Sequence, residues 1–179
     1  MSPDLPAPLP RPRWGPSVTV AAVITDGGQP PRYLLVEEHT PEGLKLNNPA
    51  GHLDPGESPQ EAVVRETLEE TACVFTPQAL VGVYLSRFLR PAAGAKPAQD
   101  VSYLRIAYAG TVGAPDPSRA LDTPIVRTLW LTLSELRDSV ARHRSPLVLR
   151  CVEDHARGQQ HPLDLVQADG SVWAPKVKT

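Results

Sequence analysis

The sequence predicts an α/β fold in which helices cover a mixed β-sheet. Three observations lead to this class: two apolar β-rich runs near the start, one strongly specified helix, and later strand-like runs followed by helical segments. The 179 residues fit one domain with a sizeable core. We expect a disordered proline-rich tail at residues 1–16, one folded domain at 17–167 and a loosely held tail at 168–179.

The sequence up to residue 57 predicts a tail, two strands and a loop. Six prolines in the first 16 residues predict an extended tail. The runs VTVAAVIT and RYLLVEEH begin at Val18 and Arg32 and flank the turn-forming DGGQPP, so we expect a hairpin or two neighbouring strands. Glycine and proline then interrupt LKLNNPAGHLDPGE at residues 44–57, which predicts a structured loop.

The later elements are strands that give way to helices. ALVGVYLSRFL and VSYLRIAYAGTV predict two strands on either side of an exposed loop, PAAGAKPAQD. A short strand is expected around Trp130, and a helix from about Ser134 to Arg142. Ser145 and Pro146 supply the N-cap and first turn of a last helix, which should stop at Gly158.

Composition and charge exclude several classes of protein. Apolar residues make up 41% and charged residues 21%, which is typical of neither a disordered acidic chain nor a membrane protein. The net charge of -2 gives no global attraction to nucleic acid or anionic lipid. No apolar segment follows a basic start, so we expect no secretory signal and a cytoplasmic location. Both monomer and homodimer stay open.

The best-specified element is a helix that begins after Ser58. Residues 58–61 have the Ser-x-x-Glu form of a capping box, with proline at the first helical position. At about 100° per residue, one side should pack and the other should gather carboxylates. The packing side holds Val63, Val64, Thr67, Leu68 and Thr71, and the other side holds Ala62, Arg65, Glu66, Glu69 and Glu70.

Three carboxylates on this helix, Glu66, Glu69 and Glu70, lie within about one turn of each other. Two carboxylates about 6 Å apart repel by roughly 3 kcal/mol at an effective dielectric near 20, and no lysine separates them. An exposed acidic face is the alternative interpretation. Oxygen-only ligands behind a glycine-rich turn suit Mg²⁺ or Mn²⁺ better than zinc. A water with its pKa lowered by the ion could then attack phosphorus, which predicts metal-assisted hydrolysis.

Residues 51–73, GHLDPGESPQEAVVRETLEETAC, resemble the Nudix box: Gly, five residues, Glu, seven residues, then Arg-Glu-U-x-Glu-Glu-x-Gly-U, with U aliphatic. Thr67 departs from the pattern at an aliphatic position and should cost some burial. Ala72 replaces the glycine after the helix, where a left-handed backbone is common, so the helix should end differently or run on. The residues that fall on the pattern are Gly51, Glu57, Arg65, Glu66, Glu69 and Glu70.

The resemblance implies an α/β/α sandwich with a mixed sheet and an active hydrolase that uses Mg²⁺, for which Mn²⁺ can substitute. It also implies that Glu66, Glu69 and Glu70 coordinate the metal. A backbone carbonyl of Ala50 or Gly51 should help them.

Three further roles follow from the same resemblance. Glu57 and Arg65 should pair and hold the loop against the helix. Ala62 should leave room for the phosphate. The general base stays open between Glu66 and a loop acid such as Asp122, which could equally be only a turn residue.

Segments outside the box, among them NNPAGHLD, SYLRIAY and SPLVLRCVEDHARGQQHPL, are similar to a bacterial Nudix subgroup of small phosphatases. This resemblance implies cleavage of nucleoside di- and triphosphates or of the hydroxymethylpyrimidine pyrophosphate of thiamine metabolism. ADP-ribose, a dinucleoside polyphosphate or an NDP-sugar are alternative substrates, and a non-catalytic ligand-binding module is a further alternative. We expect a small phosphorylated partner, with neither nucleic acid nor membrane.

Substrate contacts must come from outside the box. Arg105 and Arg87 lie on predicted strands, and arginine suits bidentate phosphate contacts, although a solvent-facing role is the alternative. Alternation places Tyr103 on the face of Arg105, where it could stack on a ring or belong to the core. His52 could bind phosphate, act as an acid or cap the turn. Lys45 could bind phosphate or simply be solvated.

Overall fold

The computed structural model describes residues 14–90, 92 and 97–174. The strands are β1 Ser17–Ile24, β2 Arg32–Thr40, β3 Gly43–Asn47, β4 Ala50–His52, β5 Phe75–Arg90, β6 Gln99–Val112 and β7 Ile125–Thr132. The helices are α1 Pro59–Thr71, α2 Leu133–Asp138 and α3 Leu147–Ala156, with short 3₁₀ turns at Val140–Arg142, Leu163–Leu165 and Gly170–Trp173.

The strands form two sheets. The larger sheet has the order β4-β1-β6-β5 and is mixed, because β1 runs parallel to β6 and antiparallel to β4. The smaller sheet has the order β3-β2-β7 and is antiparallel. The predicted α/β class with a mixed sheet is confirmed.

Two details of the predicted connectivity are wrong. β1 and β2 lie in different sheets and meet at an isolated antiparallel bridge between Thr25 and Tyr33. The loop expected at residues 44–57 contains β4 and most of β3, which pair with β1 and β2. Strands this short, interrupted by Pro49 and Gly51, carry too little alternation to be recognised from sequence.

The predicted tails and one predicted loop fall partly outside the described residues. These outside residues are 1–13, 91, 93–96 and 175–179. Residues 14–16 have no regular structure, and β1 begins at Ser17. In the described part of the predicted C-terminal tail, Trp173 closes a 3₁₀ turn and donates from Nε1 to the Glu61 carboxylate at 3.0 Å.

The two faces of the mixed sheet pack against different helices. We call them the α1 face and the α3 face, after the helix that covers each. Alternate residues of the sheet point to each face, as the period of a strand requires. The α1 face packs Val20, Ala22, Ile24, Ile106 and Tyr108 with Ala62 and Val63 of α1. The α3 face packs Ala21, Val23, Ala107 and Ala109 with Val148, Cys151 and Val152 of α3.

Both ends of α1 are defined by local chemistry. The Ser58 hydroxyl accepts from Glu61 N–H at 3.2 Å and Glu61 accepts from Ser58 N–H at 2.7 Å, so the predicted capping box is present. The helix ends at Thr71, and Ala72 takes the left-handed conformation with φ of 58°. The expectation that alanine would alter the helix end is therefore wrong. Ala72 N–H donates to the Leu68 carbonyl at 2.9 Å and closes the last turn.

Thr67 and Ala62 of α1 both belong to the core, although the sequence placed only Thr67 on the packing side. Thr67 is fully buried, and its hydroxyl donates to the Val63 carbonyl at 2.7 Å, so the polar atom is satisfied within the helix. Ala62 is also fully buried and packs on the α1 face. The expectation that Ala62 leaves room for phosphate is wrong, because its methyl group is part of the core.

Candidate active site

The guanidinium of Arg65 connects the loop before α1 to the carboxylates on the helix. Its Nε and Nη2 donate to the two oxygens of Glu57 at 2.9 and 2.7 Å, which is a bidentate pair. Nη2 also donates to the His52 carbonyl at 3.0 Å. Nη1 donates to Glu66 and Glu69 at 2.8 and 3.0 Å. The structure thus contains the pairing of Glu57 with Arg65 that holds the loop against the helix.

The electrostatic consequences follow from this geometry. Hydrogen bonding from Arg65 lowers the pKa of Glu57, and the same bonds raise the pKa of Arg65. Glu57 also accepts from Asp54 N–H at 2.8 Å, which fixes the loop backbone. Glu57 and Arg65 are therefore both ionised over the physiological pH range and form a stable scaffold.

Glu66 lies against the backbone of β4. A Cβ added at Gly51 would lie 2.0 Å from Cδ of Glu66 and 2.1 Å from each carboxylate oxygen. This approach requires glycine at position 51. Burial raises the pKa of Glu66; Arg65 opposes the shift, and the charges of Glu69 and Glu57 add to it.

Glu70 is the more buried of the two glutamates with raised pKa values. Its Oε2 accepts from the Ala50 N–H at 2.8 Å, so Ala50 contacts it through the amide. Burial raises the pKa of Glu70 to about 8, with the Ala50 bond opposing the shift and the charges of Glu66 and Glu38 adding to it. The hydrogen-bond donors and positive charges around Glu70 are therefore too weak to keep its carboxylate ionised at neutral pH.

This donor set fits a hard divalent cation, since partly buried carboxylates with raised pKa values are stabilised by a nearby positive ion. Within the part of the chain that the structure describes, no three His, Cys, Asp or Glu side chains are already arranged around one metal position. Arg65 occupies one oxygen each of Glu66 and Glu69. The other oxygen of each carboxylate stays available to an ion while Arg65 keeps its hydrogen bonds.

Arg105 reaches the same region from β6. It is 8% exposed, and burial lowers its pKa, while Cys151, Glu70 and Glu38 oppose the shift. Nη1 of Arg105 has no hydrogen-bond partner among the described residues. The structure thus places a buried, partly unsatisfied guanidinium within electrostatic reach of Glu70.

Tyr103 and His52 are brought together with a residue that the sequence did not single out. The ring centroids of Tyr103 and His52 lie 6.0 Å apart, and those of Tyr103 and Phe88 lie 5.8 Å apart. Phe88 comes from the neighbouring strand β5, so its role depends on a register that no local pattern shows. Glu38 was missed for the same reason, because its partners lie on other elements.

Lys45 and Arg87 have other partners in the structure. Lys45 Nζ donates to the Ala141 carbonyl at 3.0 Å. Arg87 Nε donates to Asp100 at 2.8 Å, and its side chain is 73% exposed. These contacts do not bring either residue to the carboxylates.

Asp122 lies in the loop before β7, near the end of α1. Its backbone N–H donates to the Glu69 carbonyl at 3.0 Å, and its carbonyl accepts from Ile125 N–H at 2.7 Å. The residue is exposed. These contacts are those of a turn residue that also contacts α1.

The fold and site define a Nudix hydrolase, and comparison with known proteins agrees. A family model described as NUDIX domain matches residues 15–151. The chain is 30% identical to Phosphatase NudJ of Escherichia coli (strain K12) over 151 residues, which cover 84% of this chain and 90% of that protein. The chain belongs to the Nudix hydrolase family and is a phosphohydrolase or pyrophosphatase.

Solved structures give the same family. A NUDIX hydrolase from Nitrosomonas europaea is 46% identical, with a TM-score of 0.73 over 87% of this chain and 98% of that chain. An Ap4A hydrolase from C. elegans shares the fold at 20% identity, with a TM-score of 0.51 over 79% of this chain and 96% of that chain. None of the helices in the described ranges is long and apolar enough to span a membrane.

Proposed function

We propose that this hydrolase requires Mg²⁺, or Mn²⁺ in its place, and cleaves the phosphoanhydride bonds of nucleoside di- or triphosphates or of hydroxymethylpyrimidine pyrophosphate. The observation that carries the proposal is the pair of partly buried carboxylates, Glu66 and Glu70, held against β4 at Gly51 and Ala50. The similarity to Phosphatase NudJ over most of both chains supports the phosphatase subgroup.

Some residues of α1 would bind the ion, and Arg65 of the same helix positions them. Glu66, Glu69 and Glu70, with a backbone carbonyl of Ala50 or Gly51, would hold the ion. When bound, the ion would neutralise charge on the phosphate chain and lower the pKa of a coordinated water.

Arg65 and Glu57 keep the loop and helix in register, because five of the hydrogen bonds around the site pass through Arg65.

Among the candidate bases we favour Glu66, because burial raises its pKa and so makes the carboxylate a stronger base. Asp122 is exposed, and its backbone bonds already account for its position in the turn. Substrate binding is assigned to Arg105, Tyr103 and His52. Lys45 and Arg87 receive no substrate role, because their observed bonds to Ala141 and Asp100 do not bring them to the carboxylates.

The alternative substrates would also be hydrolysed at a phosphoanhydride, but at a different bond of the phosphate chain. Structural relatives of low identity include a UDP-X diphosphatase and an ADP-ribose pyrophosphatase, so the fold itself accommodates several phosphoanhydrides. Orthophosphate release indicates cleavage at a terminal phosphate. Nucleoside monophosphate with pyrophosphate, or a sugar phosphate, would indicate an internal cut and favour an alternative substrate.

The test is a panel of these substrates with Mg²⁺, scored for orthophosphate and pyrophosphate, on wild type and on Glu70→Gln. The substitution is nearly isosteric, so we expect the fold to persist and turnover to fall by about 10²-fold, the order seen when one electrostatic contributor is removed. Glu42→Gln, at an exposed turn between β2 and β3, is the matched control and should keep full turnover. Full activity of Glu70→Gln would refute the proposal.

A further inference from the structure

We propose that the α3 face of the mixed sheet carries a ring-binding subsite next to the carboxylates. Its walls are Tyr103, Phe88 and His52, and its polar floor is Thr19 with Arg105. The ligand is the planar heteroaromatic ring of the substrate, bearing hydrogen-bond acceptors and joined to the phosphate chain. This inference rests on the proposed function, because the ring is held while the phosphates reach the carboxylates.

The strand register places all five residues on one face of the sheet. Thr19 pairs with His52 of β4 on one side and with Arg105 of β6 on the other. Paired residues of neighbouring strands project to the same side, and residues two apart on a strand share a side. Tyr103 therefore accompanies Arg105. Phe88, which pairs with Val101, lies on this side as well.

The aromatic walls form a continuous group with an accessible surface. The rings of Phe88 and Tyr103 are stacked, with centroids 5.8 Å apart and planes inclined by 24°, and the His52 ring lies 6.0 Å from Tyr103. Phe88 is 40% exposed and Tyr103 is half-buried, so this group does not belong to the closed core. Exposed aromatic faces on a sheet bind planar rings by stacking, whichever base is present.

Two polar groups of the floor lack partners. Thr19 Oγ1 and Arg105 Nη1 are buried, with no hydrogen-bond partner among the described residues. Thr19 is 7% exposed and Arg105 is 8% exposed. Leaving such groups unsatisfied is unfavourable, and native structures do so rarely, so a ligand is the natural partner. Both groups can donate, which selects a ring with oxygen or nitrogen acceptors.

The subsite is connected to the catalytic helix through β4. The Ala50 N–H binds Glu70, and the His52 carbonyl binds Arg65, while the His52 ring contacts Tyr103. Two residues of strand separate Ala50 from His52, which is about 7 Å. Because β4 is an edge strand of the mixed sheet, a substrate whose ring lies on the α3 face reaches the carboxylates of α1 around this edge.

The experiment compares Tyr103→Leu, Phe88→Leu and Thr19→Val with wild type. Leu89→Ala is the matched control, because Leu89 is 70% exposed, adjoins Phe88 and points to the opposite side of β5. Calorimetry measures the binding of a nucleoside monophosphate, which has no phosphoanhydride to cleave. Steady-state kinetics with Mg²⁺ compare a nucleoside triphosphate with inorganic tripolyphosphate, which lacks a ring.

We expect Tyr103→Leu and Phe88→Leu to weaken monophosphate binding and raise KM for the triphosphate by about tenfold, within the range for loss of one stacked ring. Thr19→Val, which is nearly isosteric, should weaken binding in the same assay without unfolding the chain. Kinetics with tripolyphosphate should not change in any of these variants. Leu89→Ala should behave as wild type with every ligand.

An equal loss with tripolyphosphate and nucleoside triphosphate would overturn the inference, because the rings would then act only by supporting the fold. Unchanged binding in all three variants would also overturn it. If the wild type binds the monophosphate through these residues but cleaves no phosphoanhydride with Mg²⁺, the subsite stands and the proposed hydrolysis fails.

Discussion

Replacing Gly51 with alanine tests how closely α1 approaches β4. The new Cβ would lie 2.0 Å from Cδ of Glu66. Carbon atoms in contact are normally about 3.5 to 4.0 Å apart, so the Glu66 carboxylate would have to retreat by about 1.5 Å. Arg65 also holds this carboxylate at 2.8 Å, and that hydrogen bond would stretch or break.

We expect Gly51→Ala to reduce turnover by about 10²-fold, because a displacement of about 1 Å in a catalytic group has effects of this order. The free energy of unfolding should fall by about 1 to 3 kcal/mol, the usual cost of forcing extra volume into a packed site. Turnover with Mg²⁺ and urea denaturation measure the two effects. Gly113→Ala is the control, since a Cβ there meets nothing within 4 Å.

A double-mutant cycle identifies the cause. In Glu66→Ala the side chain that obstructs the new methyl group is gone, so adding Gly51→Ala should then cost little stability. The same loss of stability in both backgrounds would show that the contact with Glu66 is not responsible. Full turnover of Gly51→Ala would mean that the position of Glu66 is unimportant for catalysis.

Two further predictions concern stability. Ala72→Gly should raise the free energy of unfolding by about 0.5 kcal/mol, because relief of the left-handed strain, about 1 to 2 kcal/mol, exceeds the burial lost with one methyl group. Ala62→Gly, inside α1, should instead lower it by about 2 kcal/mol, and urea denaturation of both variants checks the contrast. In protein kept free of metal with EDTA, the folded pKa of Glu70 is about 8 against an ordinary 4.5, so the folded state keeps a proton that the unfolded state has released. The free energy of unfolding should therefore fall between about pH 5 and 8, by up to about 1.4 kcal/mol per pH unit. Glu70→Gln should lack this component, and parallel pH profiles for the two proteins would contradict the reasoning.

Helix α1 could be predicted from the sequence because its determinants are local. Ser58 and Glu61 cap each other within one turn, and the glutamates follow helical spacing. The pairing of Arg65 with Glu57 joins residues only eight apart. The end of the helix differs, since the expectation at Ala72 relied on the preference for glycine. The hydrogen bond from Ala72 N–H to Leu68 helps to hold alanine in the less favoured conformation.

The floor and walls of the proposed subsite could not be predicted, because they depend on strand register. Phe88 meets Tyr103 only through the pairing of β5 with β6, and Thr19 meets Arg105 only through the parallel pairing of β1 with β6. A shift by one residue would move these side chains to the other face. The alternation of side chains along one strand does not show how that strand pairs with its neighbours.

Arg105 shows how the three-dimensional setting changes the role that a residue type suggests. The sequence favours a phosphate contact, because arginine carries a positive charge and a bidentate fork. In the structure the charges of Glu70 and Glu38 act on this guanidinium, so part of its positive charge is already compensated. Nη1 of Arg105 is still an N–H donor without a hydrogen-bond partner among the described residues. A neutral acceptor on a ring needs only one such N–H, whereas a bidentate phosphate contact would use two donors of the guanidinium.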